Sequence, residues 1–110
     1  MQFEELKKEV EVITYVELRE NSENYLEAVI SSSELLRLKQ KLETFFGAPY
    51  SLSWESLSRE AKEAIGGLGG VGAGQTLYLR SNDNEIAFAM LWPWQGGKQI
   101  TVKVSHRVNK

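Results

Sequence analysis

The chain has 110 residues, of which 42% are hydrophobic and 25% charged. This is the make-up of one globular domain, residues 1–110, built around a single core. It has no cysteine, which excludes disulfides, thiolate nucleophiles and sulfur-bound zinc; a net charge of −2 with one histidine supplies no general attraction to nucleic acid or to an anionic membrane.

The start, MQFEELKKEV, lacks the apolar centre of a signal peptide, and no run approaches the ~20 apolar residues of a membrane span, so a cytoplasmic protein with no membrane partner is expected. From Glu9 to Arg19, EVEVITYVELR alternates, with Val10, Val12, Thr14, Val16 and Leu18 on one side, and this predicts a first strand. Turn residues at 20–24 follow. Tyr25–Ile30 fits either a strand closing a hairpin or a helix; the strand is preferred because Ser31–Ser33 interrupts anything longer. Ser31 and Glu34 form a capping-box pair that starts a helix to about Phe46, with Leu35, Leu38, Leu42 and Phe45 on one face. Gly47 and Pro49 stop it. A second helix is expected from a Ser53 cap to Ile65, its apolar stripe being Trp54, Leu57, Ala61, Ala64 and Ile65.

Between Ile65 and Leu77 lies IGGLGGVGAGQTL, six glycines in thirteen residues. GLGGVG satisfies the G-x-G-x-x-G dinucleotide pattern, and GGVGAGQT satisfies the P-loop pattern except that Gln75 replaces its lysine. Both are chance matches. A phosphate-binding loop leads from a strand into a helix N-terminus, whose amides face the anion. Here a helix enters and a strand leaves, so carbonyls would face it. The run is expected to be a long connection, or a flap over a ligand site that includes Gly72, Gly74, Trp54, Trp92 and Trp94.

Three strands follow: Thr76–Ser81, Glu85–Trp92 after a turn at 82–84, and Lys98–Val108 after Gln95-Gly96-Gly97. The expected architecture is α+β, with an N-terminal hairpin, two helices and a three-stranded antiparallel meander, and with the helices on one face of a four- or five-stranded sheet.

Titratable groups suited to catalysis are few. His106 shares a face of the last strand with Ile100, Val102 and Val104, which suggests a structural histidine. No carboxylate occurs in residues 86–110 to join it in a metal site, and neither metal nor cofactor is expected. Residues 1–60 hold twelve acidic and seven basic side chains, and residues 61–110 three and six. The positive groups Arg80, Lys98, Lys103 and Arg107 therefore gather around His106 in the last three strands. In element order, residues 31–108 resemble the mRNA-cleaving toxins of bacterial toxin–antitoxin pairs. The resemblance implies phosphodiester cleavage by basic and imidazole groups on the sheet, here His106, Arg107, Lys103 and Arg80. It matches no motif residue by residue, and the acidic balance makes nucleic acid an unexpected partner.

The strand IAFAMLW is apolar on both sides: Ile86, Phe88, Met90 and Trp92 on one, Ala87, Ala89 and Leu91 on the other. If both helices cover the first side, Ala87, Ala89 and Leu91 with Ile13, Tyr15 and Tyr78 form an open apolar patch. The leading expectation is thus a small binding or interaction module without catalytic apparatus, which self-associates through the open sheet face as a homodimer or meets another protein there. Alternatives are the ribonuclease and a small-molecule receptor under the glycine run, whose ligand would stack on a tryptophan left exposed near Pro93.

Overall fold

A computed structural model describes residues 3–13, 15–50, 54–66, 75–81 and 85–108. Among them the order is α1 (Phe3–Glu11), β1 (Tyr15–Ser22), β2 (Tyr25–Ser31), α2 (Leu35–Phe46), α3 (Arg59–Gly66), β3 (Thr76–Ser81), β4 (Glu85–Pro93) and β5 (Gln99–Val108). One antiparallel sheet takes the order β1-β2-β5-β4-β3, so β5 joins the N-terminal hairpin to the C-terminal meander. The α+β class, the hairpin and the meander are those expected from the sequence, and Tyr25–Ser31 is a strand. No helix among the described residues is long and apolar enough to cross a membrane.

The first helix was not expected. EVEVI carries two periods at once: Val10 and Val12 alternate as in a strand, while Phe3, Leu6, Val10 and Ile13 recur at helical intervals. Packing decides between them. As a helix and its exit turn, the segment buries all four of the latter, Phe3 keeping 7% of its surface exposed, and Val12 is the one apolar side chain of the described segment left in solvent. Glu4 and Glu5 in the first turn and Lys8 in the last suit the helix dipole. Lys41 Nζ of α2 reaches Glu9 Oε2 at 2.8 Å and Asn21 Nδ2 donates to Glu11 Oε1 at 3.0 Å, which tie α1 to α2 and to β1.

α2 and α3 stop and start for local reasons. Ser31 Oγ accepts from Ser33 N at the 3-10 turn that precedes α2, and Gly47, at φ +82°, ends that helix while its N–H caps Glu43 O at 2.9 Å. α3 begins later than the sequence suggested. Its N-cap is Ser58, whose Oγ accepts from Ala61 N at 3.1 Å; Ser53 lies outside the described residues.

The helices divide between the two faces of the sheet, which corrects the expectation that they share one. α1 and α2 bury Leu26, Ile30, Tyr78, Ala87, Ala89, Leu91, Ile100, Val102 and Val104. α3 packs Ala61 and Ile65, with Leu57 just before the helix, against Leu77, Ile86, Phe88 and Met90 on the opposite face. Alternation along β4 assigns its odd residues to one core and its even residues to the other. Ile13, Tyr78, Ala87, Ala89 and Leu91, expected on an open face, are therefore interior, and Tyr15 is half-buried against them with its hydroxyl donating to Val10 O at 3.0 Å.

Three phenols are held in the protonated form. Burial, then the Glu11 carboxylate, pushes Tyr15 up to about 12. Burial and a hydrogen bond to Glu43 raise Tyr78, and burial and a hydrogen bond to Glu27 raise Tyr25. Their folded values exceed the ordinary 10, so the stability they contribute is complete below pH 10 and is lost as pH rises through the folded values. Glu27 works in the opposite sense. The Tyr25 hydrogen bond, followed by Arg19, lowers it, so its contribution is lost as pH falls below 4.5. In an alkaline absorbance titration these three tyrosines are expected to ionise only as the circular dichroism of the fold disappears; early, reversible ionisation of all tyrosines would contradict this.

Candidate functional site

Register aligns one row across three strands and a turn. Arg80 on β3 pairs with Ala87 on β4, and Ala87 pairs with His106 on β5. His106 N in turn donates to Asn24 O, in the β1–β2 turn, at 2.9 Å. With neighbouring strands about 4.8 Å apart, the Arg80 and His106 backbones stand roughly 10 Å from one another. Only the methyl group of Ala87 lies between them. The result is a cleft of about 510 Å³ on the α1/α2 face, walled by Phe3 and Glu4 of α1, Phe45 of α2, Glu23, Glu85 and Val108.

Arg80 and His106, on the floor, are both held by aromatic or polar neighbours. His106 Nε2 lies 2.8 Å from Glu85 Oε2, and Nδ1 lies 3.5 Å from Asn24 Oδ1. The Phe3 ring stacks on the imidazole with centroids 4.9 Å apart and planes at 21°. The Arg80 guanidinium sits 4.8 Å over the Phe45 ring. A general base must turn a nitrogen toward its substrate. Here both imidazole nitrogens face protein groups and one ring face is covered, an arrangement that suits recognition better than proton transfer. Glu4, Glu23 and Glu85 outnumber Arg80 around the opening, so a polyanion meets net repulsion there.

The residues singled out from the sequence are divided by strand alternation. His106 and Arg80 share the cleft. Lys103 and Arg107 project from the opposite face of β5, where Lys103 Nζ lies 4.0 Å over the Trp92 ring and Arg107 is exposed. Trp92 packs beside the α3 core with Nε1 buried and without a hydrogen-bond partner, whereas Trp94 keeps 40% of its surface exposed. Trp54 opens the 3-10 turn Trp54–Ser56; Gly72 and Gly74 lie outside the described residues, so the pocket sought beneath the glycine run has no described counterpart.

Glu85, Asn24 and the two phenylalanines were missed. Glu85 stands one position before the stretch searched for carboxylates, and its parity with Ala87 already puts it on the His106 side of the hairpin. Asn24 and Phe3 reach the site through tertiary contacts that no local pattern encodes. Among the described residues no group of three or more His, Asp or Glu side chains is placed to hold a metal ion. Compared with protein-family models, curated proteins and solved structures, the chain matches none.

Proposed function

We propose that the protein is a small binding module whose ligand site is the cleft between Arg80 and His106. One observation carries the reading: a guanidinium and an imidazole, each held by an aromatic ring, face a gap of about 510 Å³ across a single alanine. That volume suits a molecule of metabolite size. The mixed lining suits a small zwitterion, with its acceptor group toward Arg80 and its donor group toward the glutamates. A second copy of the chain as partner draws no support from the sheet face that suggested it, since α1 and α2 occupy that face.

The test is a titration of the ¹⁵N-labelled protein with zwitterionic amino acids. Saturable shifts are expected at His106 and its strand neighbours, and Arg80→Ala should weaken binding roughly tenfold or more, the worth of one charged hydrogen bond. An unresponsive His106 across the series would retire the reading. Phosphodiester cleavage is the second reading, favoured by His106 and Arg80 lying in one cleft and opposed by its carboxylates. RNA cleavage by the wild type that disappears in His106→Ala would promote it.

A further inference from the structure

The other end of the sheet carries an exposed indole that the fold immobilises. Trp94 donates its backbone N–H to Gln99 O at 2.9 Å and accepts from Gly97 N at 2.9 Å. Its Nε1 donates to the buried hydroxyl of Thr101 at 2.7 Å. These three bonds fix both backbone and ring, although the side chain stays 40% exposed. Gly96 and Gly97 make the turn possible by adopting φ of +94° and +71°, and no atom lies within 4 Å of where their side chains would begin. The turn beside the ring is thus uncrowded, and the Arg19 guanidinium lies 5.9 Å over the indole.

A second apolar group faces the same space. The β1–β2 register shifts between Tyr15 and Glu17, which leaves Val16 as a bulged residue with its side chain 54% exposed. Val16 and Trp94 line one groove of about 570 Å³, and its polar walls are Ser31, Gln95, Lys98 and Gln99. In a chain with fifteen acidic side chains, no carboxylate is among these described lining residues.

We propose that this groove is a second binding site, one that takes a pyranose ring of a carbohydrate. A pyranose offers a C–H face to an indole and a rim of hydroxyls to two amides and a serine, which is the chemistry assembled here. Because Trp94 is ordered before binding, the entropic cost of fixing the platform is already met within the fold. An extended peptide fits less well: it would add to the β1 edge, and the two register shifts in β1 break the ladder it needs. A nucleotide would need several cations for its phosphates; among the described lining residues the groove offers Lys98 alone, and the nearby Arg19 is engaged by Glu17 and Glu27. The groove is also separate from the cleft. Gln99 and His106 are seven positions apart on β5, about 23 Å along the strand.

The experiment follows the three indole N–H signals of ¹⁵N-labelled protein during titration with methyl glucoside, N-acetylglucosamine and glucuronate. The Trp94 signal, assigned by its loss in Trp94→Phe, is expected to move saturably with at least one sugar while the Trp92 signal stays in place. Gln99→Ala keeps the ring and should weaken that sugar about fivefold, the worth of one hydrogen bond. His106→Ala should leave it unchanged, so failure here is distinguishable from failure of the cleft reading. A Trp94 signal unmoved by every sugar overturns the proposal, as does one moved only by a nucleoside phosphate or a peptide.

Discussion

Lysine in place of Leu91 is expected to abolish folding. Leu91 keeps 2% of its surface exposed and lies under α1 and α2, paired with Thr76 and Val102. Removing a buried leucine side chain costs about 2–5 kcal/mol, and an ammonium held at that depth either stays charged without a partner or gives up its proton, each at several kcal/mol more. Domains of this size are stable by only about 5–15 kcal/mol, so the substitution consumes most or all of that margin. Far-UV circular dichroism and thermal melting of Leu91→Lys beside Leu91→Met provide the measurement; the methionine control should cost less than about 1.5 kcal/mol. A folded lysine variant with an unchanged melting temperature would mean that this face is open to solvent, as the sequence alone had suggested.

Removal of residues 1–13 is expected to have an effect of similar size. Phe3, Leu6, Val10 and Ile13 contribute four buried side chains to the larger core, and without them Leu26, Ile30 and Val104 face water. The truncated chain should bind a hydrophobic dye and migrate as aggregates on gel filtration. The point substitution Leu6→Ala, at a fully buried position, should leave a folded protein that melts roughly 10–20 °C lower. A soluble, cooperative truncation product would show that α1 is an accessory to the sheet and not part of its core.

How much of this was legible depends on the range of the signal. β3, β4 and β5 were readable as apolar, β-prone runs bounded by turn residues; β5 alternates, and β4 announced burial on both sides through the continuous apolar run Ile86–Trp92. Which helix covered which side was not readable, since Leu38 and Leu42 of α2 and Ala61 and Ile65 of α3 are equally apolar stripes. The deciding piece was α1, and its signal was masked: Val10 belongs to a helical series and to an alternating one, and a short window cannot separate them. Misplacing that one helix turned the most buried residues of the sheet into a supposed surface. At the cleft, His106 and Arg80 were flagged by residue type. Their juxtaposition and the separation from Lys103 and Arg107 needed the register of β3–β4–β5, and Phe3 and Asn24 arrive from chain segments about 100 and 80 positions away, beyond any local pattern.

The position of β5 also governs when this protein can become itself on the ribosome. Ser31 pairs with Gln99, 68 positions later, and every β2–β5 bond waits for the final described strand. At about 5–20 residues per second, the N-terminal hairpin and its helices spend roughly 3–14 s in the company of an unfinished partner. During that interval the backbone of β2 is an unpaired edge and Leu26, Ala28 and Ile30 have no β5 beside them. A sheet closed by its last strand gives the nascent chain no stable half to settle into.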